Sequence, residues 1–297
     1  MKVTVEIAST VQANEQLENE RKNIRRIDDP IEIQSKESNS TDEDIFGTER
    51  DVKLLIHGWN ADPEHVALET VRNAYLRLNT SHVLMADWRE IASMRYITAR
   101  KMIVSVGKAI CKQLKTFAER AQIGSDKIHI VGHSLGAHIA THVGRCFDRQ
   151  IARLTALDPA GPLFTPFSTD ALSRNDFQFV DSIHTSAGLA GEFESRAHAD
   201  FYPNKGTPPQ PGCETLDIFT FTACSHYRAP VYFSESILIP QSFYAARCDL
   251  ALIQLPSFRN CLNGSEVVFM GESVDQKARG SFYVETFSTF PFGKGSP

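Results

Sequence analysis

The sequence predicts an α/β protein built on a mainly parallel β-sheet with helices on both faces. Short runs rich in β-branched residues alternate with segments of helical periodicity, and one of these junctions carries a Gly-x-Ser-x-Gly turn. A chain of 297 residues can bury one large core, so we expect residues 1–297 to form a single domain.

The amino-terminal part predicts one isolated strand, a polar connection and then the body of the sheet. Residues 1–10 alternate like a strand. Residues 15–44 are charged and lack periodicity, so we expect an exposed, partly disordered insert there. A strand follows at 52–56, a helix opened by Pro63 comes next, and a second strand covers 83–86.

The alternation continues through the centre of the chain and ends near His184. A long helix is predicted over 96–121, and further strands are predicted at 128–131, 154–157 and 177–182. Beyond His184, residues 188–212 are rich in Gly, Pro and polar side chains and predict loops. Residues 267–290 contain β-branched and aromatic runs that predict late strands near an edge.

The Gly-x-Ser-x-Gly turn predicts a nucleophile elbow. A buried strand at 128–131 leads directly into Gly132, Ser134 and Gly136, and a helical pattern follows. The two glycines lack a Cβ, so the chain can turn sharply and the helix can pack close to the strand. Strand, turn and helix in this order are the context that such an elbow requires, and they predict that Ser134 is a nucleophile.

Composition excludes several classes of function. The net charge of −5 leaves no basic excess for binding nucleic acid. No apolar run is long enough to span a bilayer. No spacing of Cys, His or acidic residues resembles a metal site, and serine-based chemistry needs no cofactor, so we expect neither.

The six cysteines predict disulfides in the carboxyl-terminal half. Two close pairs, Cys213 with Cys224 and Cys248 with Cys261, suggest bonds that close short loops. Cys111 and Cys146 lie in helical patterns and could equally be bonded or remain buried thiols. Sequons at Asn39, Asn79 and Asn263 add weak support for an extracellular protein, although residues 1–10 lack a signal-peptide pattern.

A serine nucleophile needs a base and an orienting acid, which follow it in the order acid, then histidine. Asp158 is the favoured acid because it follows a predicted strand directly, and Asp181 is the alternative at the end of the next strand. His226 is the favoured base because a disulfide at Cys224 would fix a loop that carries it. His184 and His198 are the other candidates.

The tetrahedral intermediate of acyl transfer also needs two backbone N–H donors. One is expected from Leu135, the residue after the nucleophile. The loop after the strand at 52–56 is placed to supply the other, and we assign it to the amide of Trp59.

Six motifs between Val52 and about Thr286 occur in one characteristic order. They are His57-Gly58-Trp59, Gly132-His133-Ser134-Leu135-Gly136, Leu157-Asp158-Pro159-Ala160-Gly161-Pro162, Val180-Asp181-Ser182-Ile183-His184-Thr185, His198-Ala199-Asp200-Phe201-Tyr202-Pro203-Asn204 and Cys224-Ser225-His226. In these motifs the sequence resembles the animal lipase family that includes pancreatic triglyceride lipase and the insect phospholipases A1.

The resemblance implies the α/β-hydrolase fold, a triad of Ser134, Asp158 and His226, and an oxyanion hole of Trp59 and Leu135. Residues before Val52 match the family poorly. The separate carboxyl-terminal β-sandwich of pancreatic-type members has no counterpart, so no colipase partner is implied.

By the same resemblance, residues 213–224 correspond to the lid over the active site. The segment is a short loop here, and the loop at 185–198 is short as well, which resembles the phospholipase A1 branch. Exposed apolar residues at its tip would suit docking on a lipid–water interface: Leu216, Ile218, Phe219 and Phe221.

We therefore expect a lipid carboxylic-ester hydrolase that acts at a membrane or lipid–water interface, most simply by releasing the sn-1 fatty acid of a phospholipid. A triacylglycerol or neutral lipid lipase is the alternative, with the same machinery. A non-catalytic lipid-binding or yolk-type storage relative is a third interpretation, which the complete triad disfavours. The sequence does not indicate an oligomeric state.

Overall fold

The computed structural model describes residues 2–8, 50–253 and 267–295. The predicted insert at 15–44, Cys261 and the sequons at Asn39 and Asn263 lie outside the described residues. No helix within the described ranges has both the length and the apolar character needed to cross a membrane.

The described strands form one ten-stranded sheet. They are β1 (Thr4–Ile7), β2 (Asp51–Ile56), β3 (Ser81–Asp87), β4 (Ile128–His133), β5 (Arg153–Leu157), β6 (Phe179–Ile183), β7 (Ala199–Pro203), β8 (Tyr244–Arg247), β9 (Val267–Phe269) and β10 (Gly280–Val284). Their spatial order is β1-β3-β2-β4-β5-β6-β7-β10-β8-β9. The pairings from β3 through to β10 are parallel, whereas β1–β3, β10–β8 and β8–β9 are antiparallel.

The helices lie between the strands along the chain. They are α1 (Val66–Leu78), α2 (Arg89–Ala92), α3 (Tyr96–Arg120), α4 (Leu135–Cys146), α5 (Glu214–Thr220), α6 (Ala223–Leu238) and α7 (Leu250–Ile253). Adjacent residues of one strand face opposite sides of a sheet. Accordingly Leu54 packs in a core cluster with α3 and α4, and Leu55 packs in a second cluster with α1 and α6. The predicted α/β-hydrolase architecture, a mainly parallel sheet covered on both faces, is confirmed.

The register of the sheet gathers the carboxyl ends of the central strands. Ile56 pairs with Gly132, His133 with Leu157, and Leu157 with Ile183. The residues that follow β2, β4, β5 and β6 therefore emerge at one edge. In an open parallel sheet this edge is where ligands and catalytic groups are placed.

The late strands lie near an edge as predicted, since β9 is the edge strand and β10 is third from it. Two other expectations about elements were wrong. Residues 199–203 form the buried strand β7 inside a region predicted to be loops, because their flanking Gly and Pro residues hid a short apolar run. Helix α1 begins at Val66 and not at Pro63, since the ring of His65 accepts a hydrogen bond from the Ala67 amide and caps the helix.

Two disulfides are described in full. Cys111 and Cys146 are bonded, so they are not buried thiols, and they join α3 to α4. Cys213 and Cys224 are bonded as predicted and close the segment that contains α5. Cys248 is also disulfide-bonded, and its predicted partner lies outside the described residues.

Candidate active site

Ser134 occupies a strained turn between β4 and α4. Its backbone has φ 56° and ψ −122°, a conformation that a non-glycine residue seldom adopts. The Ser134 amide donates to the carbonyl of Leu157 at 3.0 Å, which holds the turn against the end of β5. A Cβ on Gly132 would lie 2.6 Å from the carbonyl oxygen of Gly136, so the turn can close only without one. Such strain persists where the surrounding structure fixes it, and it is typical of functional sites.

Asp158 emerges at the end of the neighbouring strand β5 and is fully buried. Its Oδ1 accepts hydrogen bonds from the amides of Thr185 at 2.7 Å and Ser186 at 3.0 Å. Its Oδ2 accepts from Nδ1 of His226 at 2.6 Å. Two backbone donors therefore fix the carboxylate, and its second oxygen orients the imidazole of His226.

A third side of the Asp158 carboxylate is covered by Gly191. A Cβ at position 191 would lie 2.5 Å from Asp158 Oδ1, so only glycine allows this close approach. The amide of Glu192 donates to the carbonyl of Pro159 at 2.7 Å, which fastens the loop to the chain just beyond Asp158.

Asp181, the alternative acid, is engaged elsewhere. Its carboxylate accepts from Arg153 at 2.8 and 3.0 Å and from the hydroxyl of Thr155, all within the sheet. Arg153 also donates to the carbonyls of Gly271 and Glu272, so this ion pair ties the carboxyl-terminal segment to the sheet. The structure brings Asp158 to His226 and leaves Asp181 in a structural pair.

His226 lies on the first turn of α6, where its amide donates to the carbonyl of Thr222 at 2.9 Å. The expectation of a loop was therefore wrong, because the chain after the Cys213–Cys224 disulfide starts a helix at once. Asp217 stabilises that start: its carboxylate accepts from the amide of Ser225 at 3.0 Å and from the Ser225 hydroxyl.

The other two candidate histidines have structural partners. Nδ1 of His198 accepts from the amide of Val180 at 3.0 Å. His184 donates from Nε2 to Asp200 at 3.0 Å and from Nδ1 to the carbonyl of Glu192 at 3.2 Å. Burial disfavours a charge on the His184 ring, but the hydrogen bond and charge of Asp200 outweigh it and raise the pKa of His184.

The loop after β2 reaches the nucleophile. A Cβ on Gly58 would lie 2.8 Å from the Cβ of Ser134, so the backbone beside Trp59 touches the elbow. The indole of Trp59 donates to the carbonyl of Met94 at 2.7 Å, and its amide makes no hydrogen bond to any described residue. Leu135 is the first residue of α4, and the first amides of a helix have no intrahelical acceptor.

His57 stabilises the loop that contains Gly58 and Trp59. Its Nδ1 donates to the carbonyl of Gly58 at 3.0 Å, and its Nε2 accepts from the amide of Trp88 at 3.3 Å. The rings of His57 and Trp88 are stacked with centroids 5.2 Å apart. Burial lowers the pKa of His57 to about 4, so the ring is neutral and its tautomer is set by these two bonds.

The segment between Cys213 and Cys224 was expected to be a loop, and it contains instead the seven-residue helix α5. Its apolar side chains do not pack down on the protein. The exposed fractions are 54% for Leu216, 76% for Ile218, 76% for Phe219 and 91% for Phe221. Sequence reasoning missed Leu189, which is 60% exposed and lies two residues before Gly191, the residue packed against Asp158.

Among the described residues, one group could offer three metal-binding atoms: Cys213, Asp217 and Cys224. Both sulfurs are already joined in the disulfide, so they cannot act as thiolate ligands. The predicted absence of a metal and of a cofactor remains a prediction.

The supports of Asp158 could not be read from the sequence. The Thr185 and Ser186 donors are backbone amides, so no residue type marks them. A glycine can mark a position where the backbone packs closely against another group. Gly191 lies in a loop with several glycines, so the sequence does not show which of them packs against Asp158.

Comparison with known proteins identifies a matching family and several relatives. The model of the lipase family matches residues 9–292. Pancreatic lipase-related protein 3 of Homo sapiens is 31% identical over 296 residues, which cover 89% of this chain and 61% of that protein. Pancreatic triacylglycerol lipase of Oryctolagus cuniculus is 31% identical, with 84% of this chain and 59% of that protein covered.

Hepatic triacylglycerol lipase of Bos taurus is 35% identical over 216 residues, which cover 65% of this chain and 43% of that protein. The chain thus spans from 43% to 61% of the length of these curated relatives.

Proposed function

Because this chain belongs to the lipase family, we propose that it hydrolyses lipid carboxylic esters through an acyl-Ser134 intermediate. One observation carries the proposal: the 2.6 Å bond from His226 to Asp158 lies at the same sheet edge as the strained Ser134 turn. A buried carboxylate that is held by two amides and paired with an imidazole, at the same sheet edge as a serine, supplies the groups that activate a hydroxyl.

In the proposed reaction, Ser134 Oγ attacks the ester carbonyl while Nε2 of His226 takes its proton. The amides of Trp59 and Leu135 donate to the oxyanion of the tetrahedral intermediate. His226 then gives the proton to the leaving alcohol as the ester C–O bond breaks. Water repeats these steps on the acyl-enzyme, releasing the fatty acid and restoring Ser134. Throughout, the carboxylate of Asp158 accepts a hydrogen bond from the Nδ1–H group of His226 and stabilises the imidazolium.

We assign the sn-1 ester of a phospholipid as the first candidate substrate. The cover over the site is short, since only ten residues lie between Cys213 and Cys224 and α5 has seven residues. A short cover leaves room beside the serine for a lipid with two chains and a polar head group. Triacylglycerol is the second candidate, favoured by the names of two relatives, the pancreatic and hepatic triacylglycerol lipases.

The exposed apolar residues of α5 support a peripheral approach to a lipid surface. A side chain that is 76% exposed, such as Phe219, loses unfavourable contact with water when it enters the acyl region of a membrane. The two disulfides that the structure describes support an extracellular location, because disulfides persist in oxidising compartments.

The test compares two substrates: vesicles of a phosphatidylcholine with different sn-1 and sn-2 chains, and a triolein emulsion. We expect fatty acid from the sn-1 position and slower turnover of triolein. Ser134→Ala should lower kcat by on the order of 10⁶. Ser105→Ala, which changes an exposed serine of α3, is the matched control and should retain the wild-type rate.

Each result bears on a different part of the proposal. Turnover of triolein alone would replace phospholipid by triacylglycerol as the substrate. Release from sn-2 would contradict the regiochemistry. Ester hydrolysis that survives Ser134→Ala would refute the acyl-enzyme itself.

A further inference from the structure

The carbonyl of His226 lacks its usual partner within helix α6. In an α-helix this carbonyl accepts from the amide four residues later, and here that residue is Pro230. Proline has no N–H, and its ring crowds the carbonyl four residues before it. Pro230 is buried, so water is a poor substitute for the missing donor.

The imidazole of His133 forms a hydrogen bond with the carbonyl of His226. Its Nε2 lies 3.2 Å from the carbonyl oxygen of His226. A carbonyl only accepts, so the proton must be on Nε2 of His133. Burial, reinforced by the neighbouring His226, lowers the pKa of His133 well below its usual value, which keeps the ring neutral.

The position of His133 gives this bond its significance. His133 is the last residue of β4 and directly precedes Ser134. Its ring centroid is 4.5 Å from that of His226 and 5.8 Å from that of Tyr227. One hydrogen bond therefore joins the strand that carries the nucleophile to the helix that carries the base.

We propose that Pro230 and His133 act as a pair that fixes the distance between nucleophile and base. Pro230 leaves the main-chain carbonyl of His226 without a helical donor, and His133 supplies one from the nucleophile elbow. Asp158 holds the imidazole of His226, whereas His133 holds its backbone. His133 and Pro230 are positioning residues, and this role rests on the proposed function.

The experiment is a double-mutant cycle with His133→Phe, Pro230→Ala and the double variant. Phenylalanine keeps an aromatic ring but removes the donor, and alanine restores a helical N–H four residues after His226. Melting temperature is measured alongside kcat and KM for p-nitrophenyl butyrate, a soluble ester that needs no lipid surface.

His133→Phe should lower the melting temperature by about 2–10 °C, because it leaves a buried carbonyl unpaired. It should also lower kcat about tenfold with KM changed by less than about twofold. In the double variant the helical N–H satisfies the carbonyl, so the melting temperature should recover. The kcat should stay low, because the link to the elbow is still absent.

His133→Gln tests rescue, since its side-chain amide can donate from nearly the position of the imidazole Nε2. It should retain a higher kcat than His133→Phe. In ¹⁵N-histidine spectra of the wild type, His133 should show a protonated Nε2 and an unprotonated Nδ1 at pH 7.

Recovery of kcat together with melting temperature in the double variant would overturn the proposal, because His133 would then only satisfy a carbonyl. Additive effects of the two substitutions on melting temperature would overturn the pairing of His133 with Pro230. Ser134→Ala separates this proposal from the one on function. Wild-type kcat in Ser134→Ala refutes the triad, whereas loss of kcat in Ser134→Ala together with wild-type kcat in His133→Phe refutes only the positioning role.

Discussion

Asp158→Asn should reverse the tautomer of His226 without unfolding the protein. In the wild type, Asp158 Oδ1 faces the donors of Thr185 and Ser186 at 2.7 and 3.0 Å. An amide at this position must keep its oxygen toward those two N–H groups, so its NH₂ must point at Nδ1 of His226. Nδ1 then has to accept, and the ring proton moves to Nε2.

A proton on Nε2 prevents His226 from taking the hydroxyl proton of Ser134. The corresponding substitution in a serine protease lowers kcat by about 10⁴, or roughly 5.5 kcal/mol of transition-state stabilisation. We expect a loss of that order here. The melting temperature should fall much less than in Asp158→Ala, because only the alanine variant leaves both amides unpaired.

The assay is kcat for a soluble ester with melting temperature measured in parallel. Asp158→Asn should combine a loss of about 10⁴ in kcat with a nearly normal melting temperature. An Asp158→Asn enzyme within about tenfold of the wild-type kcat would refute the assignment of Asp158 as the orienting acid.

Three further predictions concern the surroundings of the triad. Gly191→Ala should lower kcat with little change in KM, because its Cβ would lie 2.5 Å from Asp158 Oδ1 and displace the carboxylate; a normal kcat would show that the loop shifts freely. Burial raises the pKa of Glu192 to about 7, so the folded state favours its protonated form, and stability should fall as the pH rises from about 4.5 through about 7. The free energy of unfolding should fall by up to roughly 3 kcal/mol. In urea titrations at pH 5 and pH 8, Glu192→Gln should show a smaller difference in stability between the two pH values than the wild type. The same difference in both proteins would contradict the role of Glu192. Phe219→Ser combined with Phe221→Ser should reduce activity on vesicles but not on a soluble ester, since both side chains are exposed; equal losses on the two substrates would exclude a docking role.

The nucleophile elbow could be predicted from the sequence because its signals are local. A β-branched strand, two glycines and a helical pattern lie within about twenty residues around Ser134. Asp158 could be placed at the same edge because a residue directly after a parallel strand must emerge there.

The predictions that were wrong concern features that depend on contacts between distant parts of the chain. His226 was expected on a loop, and its helix α6 starts where Asp217 and the Cys213–Cys224 disulfide hold the chain. Strand β7 was missed because Ala199–Pro203 has no local signal stronger than its flanking Gly and Pro residues, and pairing with β6 and β10 decides its conformation.

The pairing of Cys111 with Cys146 likewise depends on the packing of α3 against α4. Sequence patterns report which residues prefer a strand or a helix. They do not report which helices meet, and so they left both states of these cysteines open.

The central claim is that Ser134 is a nucleophile activated by His226. The most direct measurement is mass spectrometry of the protein after reaction with a fluorophosphonate, a reagent that modifies activated serines. We predict one adduct, on the peptide that contains Ser134, and an adduct that forms far more slowly in His226→Ala. Labelling at another serine, or equal labelling rates in the wild type and His226→Ala, would contradict the account.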